Sequence, residues 1–155
     1  QTTKAQYVSS DAKKLLIKNE NTVNDHKYMV LCHGYSNHRL QDISNQAKKF
    51  YDMGYSIFAG YARGHGLSEG KYIGMGVHER KDVASWIKMI KDMDPDAKIG
   101  LYGVSMGAAT VMTTVGEDLG EEVVLAIADC GYSSAWDEFK NPYFRCFICR
   151  IFCAI

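Results

Sequence analysis

Ile99-Gly100-Leu101-Tyr102-Gly103-Val104-Ser105-Met106-Gly107-Ala108-Ala109 is the stretch that decides the fold. A short apolar run leads directly into G-x-S-x-G, and small residues able to open a helix follow. That order describes a strand, a sharp turn and a helix, with a serine hydroxyl presented at the top of a sheet. The glycines at 103 and 107 have a steric reason: the turn packs the strand end against the new helix, and a Cβ at either flank would clash. The helix expected from Met106 aims unpaired N–H groups and the positive end of its dipole at Ser105. Ser105 is therefore the candidate nucleophile.

Outward from this turn, strands and helices alternate, the pattern of an α/β protein with a mostly parallel sheet covered on both faces. Leu15 to Ile17 reads as a short edge strand. Lys27 to Cys32 (KYMVLC) is apolar through its second half, as a doubly covered strand should be. Ile43, Ala47, Phe50 and Tyr51 give helical spacing to a segment from about Asp42 to Met53, which Gly54 terminates. Tyr55 to Ala59 is the next strand, and a glycine-rich loop runs from Gly60 to Gly76. Glu79 to Met93 is the clearest helix, with Val83, Trp86, Ile87 and Ile90 on one stripe and acids and lysines opposite. Asp94-Pro95-Asp96 breaks it. Lys98 to Tyr102 is the strand before Ser105, the following helix extends to about Val115, and Val123 to Ala128 is a further, wholly apolar strand.

The 155 residues suit one domain, 1–155, and 46% hydrophobic content supplies a core. Lys+Arg and Asp+Glu both number 18, so no net charge argues for nucleic acid or an anionic membrane as partner. No apolar run approaches the roughly 20 residues of a membrane span. The polar start, Gln1-Thr2-Thr3-Lys4, has neither an initiator Met nor a signal-peptide pattern, as expected of a trimmed N-terminus. Five cysteines, an odd number, argue against a disulfide framework and for a reducing, cytoplasmic setting. Cys32 and Cys130 end apolar runs and read as buried thiols. Cys146, Cys149 and Cys153 crowd a tail, 141–155, that is almost wholly aromatic, aliphatic, Cys and Arg and departs from the rest of the domain.

Acyl transfer on Ser105 needs an oxyanion hole, a base and an acid. The backbone N–H of Met106, next after the nucleophile, is one oxyanion donor. The other is expected from Leu31-Cys32-His33-Gly34-Tyr35, where Gly34 permits close approach of the backbone and the Tyr35 N–H is the donor. Asp129 lies at the end of the strand after the nucleophile strand, the sheet edge where sites form, and a turn-capping aspartate is one reading of it. Cys146-x-x-Cys149 lacks a second pair of ligands, and His78 with Asp82 is equally a helix-start contact, so no metal or other cofactor is expected.

These motifs together resemble the N-terminal half of an α/β-hydrolase of the serine esterase, lipase and aminopeptidase-like superfamily. Ala62-Arg63-Gly64-His65-Gly66-Leu67-Ser68-Glu69-Gly70 is similar to that family's R-G-H-G-x-S loop. The segments from Tyr72 to Arg80 and from Asp129 to Ser134 resemble a bacterial subgroup. The resemblance implies hydrolysis of a small acyl substrate through an acyl-enzyme, with acid and histidine following the serine. By that resemblance Asp129 also reads as the candidate acid. All five histidines (26, 33, 38, 65 and 78) precede Ser105, so the base and the last strands are expected to lie outside this chain. His33 and His65 are expected to be structural, and His38 to lie near the same sheet end. The rival expectation is a truncated, inactive hydrolase acting as a binding or oligomerising scaffold through an exposed sheet edge or the apolar tail.

Overall fold

A computed structural model describes residues 14–19, 26–35 and 43–140. The elements, in chain order, are β1 (Lys14–Ile17), β2 (Lys27–Cys32), α1 (Ser44–Asp52), β3 (Ser56–Gly60), α2 (Glu79–Met93), β4 (Lys98–Val104), α3 (Met106–Thr114), β5 (Val123–Asp129) and α4 (Ala135–Lys140). The strands form one sheet in the order β1-β3-β2-β4-β5, with β1 antiparallel to β3 and the other pairings parallel. The fold is α/β, with the mostly parallel sheet that the alternation of elements implies.

Chain direction explains the layers. Right-handed crossovers place α1 on one face as the chain moves from β2 to β3, and α2 and α3 on the other as it moves back across the sheet. The core follows in two halves. Tyr28, Val30, Phe58, Ile99 and Leu101 meet Val83, Trp86, Ile87 and Ile90 of α2, with Val111 of α3. Met29, Leu31, Ile57, Ala59 and Tyr102 meet Ala47, Phe50 and Tyr51 of α1. The alternation of neighbours along β2 is the two-residue period of a strand covered on both faces. Gly54 ends α1 at φ 95°, a backbone that favours glycine.

The chain reverses its direction of travel at β2, so the crevice beyond the C-terminal ends of β2 and β4 is where such sheets bind ligands. Ser105 lies there. One expectation fails on the other flank. β5 is as apolar as expected, and its side is open among the described residues, as missing last strands imply: Val124 is 61% and Leu125 39% exposed. Cys130, expected to be buried, is exposed, because β5 pairs only with β4 among the described residues. The helix α4 carries no strong apolar period and was not anticipated. No helix of the described residues is long and apolar enough to cross a membrane.

Candidate active site

Ser105 occupies φ 54°, ψ −115°, a left-handed backbone that a non-glycine residue adopts at a cost. The turn is over-determined by its neighbours. A Cβ on Gly103 would come 2.1 Å from the carbonyl oxygen of Gly107, and one on Gly107 would come 2.1 Å from that of Cys32 and 2.7 Å from that of His33. The first turn of α3 thus rests directly on the backbone that leaves β2. The Ser105 N–H donates to the Asp129 carbonyl at 2.9 Å, and the Ser105 carbonyl accepts from Ala109 at 3.1 Å. Met106 is buried under the turn.

The loop after β2 is fixed by its histidine. His33 is 2% exposed; its Nε2 accepts from the Ala62 N–H at 2.9 Å, so Nδ1 carries the proton and donates to the Gly34 carbonyl at 2.8 Å. His65, equally buried, lies edge-on to His33 at 5.1 Å between ring centroids, and its Nδ1 donates to the Arg63 carbonyl at 3.0 Å. Tyr35 and Tyr61 close this block of rings, at 6.0 Å from His65 and 6.1 Å from His33 respectively. Arg63 is bidentate on Asp82 of α2, with Nε and Nη2 donating at 2.8 and 2.7 Å. That pairing takes Asp82 away from the His78–Asp82 metal arrangement weighed from sequence. His78 is at the N-cap of α2, and His38 and the cysteines beyond 140 lie outside the described residues.

Asp129 ends β5 opposite Val104. Its Oδ2 accepts from the Tyr102 hydroxyl at 2.9 Å and its Oδ1 from the Cys130 thiol at 3.4 Å. Burial, and then the Asp129 carboxylate, raise the Tyr102 hydroxyl above its ordinary pKa. Ser105 is therefore brought to the end of β2 and β4, with Asp129 one strand away. The described residues place no histidine in hydrogen-bond contact with the Ser105 hydroxyl.

Glu79 falls on the helical stripe of Val83 and Trp86 (i, i+4, i+7) and is 2% exposed. Its two carboxylate oxygens accept from the N–H groups of Gly74 and Gly76 at 2.7 and 2.9 Å. An acid in the first turn of a helix, just after a G-x-G, was the signal available. A third group lies at the other end of the sheet: His26 Nδ1 and the Tyr28 hydroxyl both meet Asp94 at 2.8–2.9 Å. His26, Asp94 and Asp96 bring potential ligand atoms within 4.8 Å of one another, an arrangement the hydrogen bonds to Asp94 explain without an ion.

A family model described as serine aminopeptidase, S33, matches residues 24–138. The uncharacterized protein YqkD of Bacillus subtilis (strain 168) is 28% identical over 106 residues, covering 68% of this chain and 34% of its own length. Among solved structures, the Pyrococcus furiosus esterase Pf2001 superposes with a TM-score of 0.67 at 26% identity, over 86% of this chain and 56% of that one. XC6422 of Xanthomonas campestris, titled an a/b serine hydrolase without lid, gives a TM-score of 0.61 at 16% identity over 75% of this chain and 57% of its own, a likeness of fold. The chain thus spans about a third of the curated relative and little more than half of the structural ones.

Proposed function

The chain belongs to the serine aminopeptidase S33 family of α/β-hydrolases, and on that premise we propose that it carries the nucleophilic part of a serine hydrolase of carboxylic esters or related acyl compounds. The observation that carries this reading is the strained Ser105 backbone, wedged between two glycines where no side chain fits. Strain of this kind persists where surrounding structure enforces it, and a nucleophile elbow is such a place. The likeness to the esterase Pf2001 supports the substrate class.

In this reading the Ser105 Oγ attacks the acyl carbon while a histidine base takes its proton. The carbonyl oxygen becomes an oxyanion held by the N–H groups of Met106 and Tyr35. The base returns the proton to the leaving alkoxide, and water then cleaves the acyl-enzyme by the same path in reverse roles. Losing one oxyanion donor typically costs about 100–1000-fold in turnover. Contact between Gly107 and the Cys32–His33 backbone supports this pairing of donors, because it holds the two loops in register. Asp129, steadied by Tyr102, is the acid the reading assigns. The base is assigned outside the described residues, since His26, His33 and His65 are each engaged elsewhere and His78, exposed at the start of α2, makes no hydrogen bond to Ser105.

A fluorophosphonate probe with mapping by mass spectrometry tests the assignment. Modification at Ser105 that disappears in Ser105→Ala is the expected result wherever a histidine, from this chain or a second copy, reaches the serine. A folded protein left unlabelled overturns the enzyme reading for this chain. A second reading, an inactive hydrolase serving as an associating scaffold, draws its support from the exposed apolar faces of β5.

A further inference from the structure

Gly74-Met75-Gly76 forms a strap held from three sides, which the chemistry at Ser105 does not by itself account for. From α2, the buried Glu79 carboxylate accepts from the Gly74 and Gly76 N–H groups. From α3, the Thr113 hydroxyl reaches the Gly76 carbonyl at 2.8 Å, sharing its one proton with the Ala109 and Thr110 carbonyls at 2.9 Å. From the loop after β5, the Tyr132 hydroxyl donates to the Met75 carbonyl at 3.0 Å. Burial of an unpaired carboxylate is costly, so two short backbone donors are what let Glu79 reside there.

The fit leaves no slack. A Cβ on Gly74 would sit 2.8 Å from Glu79 Oε2 and 2.7 Å from the His78 Cβ. Gly76, at φ +98°, lies so close to α3 that a Cβ would come 3.0 Å from the Ala109 carbonyl carbon and 3.1 Å from the Thr110 nitrogen. Met75 is itself left-handed, at φ 51°. The same first turns of α3 bear on the β2 backbone through Gly107. Glu79 also lines a small cavity with His33, Met106 and Thr110, behind the serine turn.

We infer that Glu79 is a positioning residue for the nucleophile: by fixing the Gly74–Gly76 strap against α3, it sets where the Ser105 hydroxyl and the Met106 N–H point. This rests on the serine-hydrolase reading for its consequence in catalysis, though not for its effect on α3. Glu79 itself touches no reacting atom. A Gln at 79 keeps the shape and one acceptor but turns an N–H donor toward a backbone N–H. An Ala removes both acceptors.

Saturation kinetics of fluorophosphonate labelling and amide hydrogen exchange, on Glu79→Gln, Glu79→Ala, Thr113→Val and the Glu79→Ala/Thr113→Val pair, form the test. Misplacement of the serine turn should lower the maximal labelling rate about tenfold or more in Glu79→Ala, with Glu79→Gln between it and the parent. The half-saturating probe concentration should stay within about twofold, because the displaced groups act on the reacting centre in the transition state rather than on the probe as it first binds. The double variant should label no slower than Glu79→Ala alone, since both changes act through one strap. Amides of Ala109 to Val111 should exchange faster while those of β2 and β4 hold their rates. Unchanged labelling with unchanged exchange in α3 overturns the inference, as does exchange raised evenly across the sheet. If the parent chain is not labelled, the hydrolase reading fails and the exchange pattern alone decides the role of Glu79. If Glu79→Ala does not fold, Glu79→Gln decides it by the same criteria.

Discussion

At position 107 the absence of one carbon holds two loops together. The Cys32 carbonyl occupies the space a side chain would need, so Gly107→Ala must push α3 off the β2 loop. We expect a loss of roughly 3 kcal/mol in urea unfolding, the upper end of what overpacking costs. The cysteines show the opposite lesson, that identical residues after similar apolar runs meet different surroundings. Burial pushes the Cys32 thiol from 9.0 up to about 12. That shift leaves far less thiolate at neutral pH. Iodoacetamide applied to native protein should therefore modify the exposed Cys130 and spare Cys32 until denaturant is added, as peptide mapping would show. The difference was not legible from the residues, because a strand's own composition does not say whether its neighbours exist.

Elements draw their stability from what they pack against. α2 matches its predicted bounds because its stripe and its break at Asp94-Pro95 are both local signals. Trp86 on that stripe packs its ring on Phe58, 5.5 Å between centroids, and fills the space over Gly60. Trp86→Ala should cost about 3–5 kcal/mol in a denaturant titration. The far end of α2 is tied to β2 through Asp94. Burial favours its neutral form, but hydrogen bonds from Tyr28 and His26 outweigh that and hold the carboxyl below its ordinary value of 3.8. A carboxylate with a depressed folded pKa contributes stability at pH values above the unfolded one, and that contribution is lost as pH falls through the folded value. Asp94→Asn should therefore lower the melting temperature at pH 7, by about 1–2 kcal/mol of stability, and the gap to the parent should close in melts below pH 3.8. Glu79 belongs to this scale as well: its helix was legible, but its burial was set by a loop arriving from elsewhere.

Across the whole molecule, the sheet presents an uneven pair of flanks. β1 closes one side, whereas β5 shows Val124 and Leu125 to solvent among the described residues, and Trp136 of α4 is exposed as well. An apolar edge of this kind pairs readily with other chains. Every charged residue between Val115 and Phe139 is acidic, so mutual repulsion opposes contact between two such edges at low ionic strength. Light scattering on a size-exclusion column should show association that grows with concentration and salt and is relieved by Val124→Lys. A monomer under all these conditions would leave the scaffold reading without support. Alternation of strands and helices, the bounds of α2, and the glycines that the serine turn requires were all determined by the sequence, because each depends on residues within a few positions of one another. The carbonyls that Gly107 meets, the exposure of Cys130 and the burial of Glu79 were decided only by tertiary structure. Each depends on backbone brought in from tens of residues away, and burial is a property of the neighbours rather than of the residue itself.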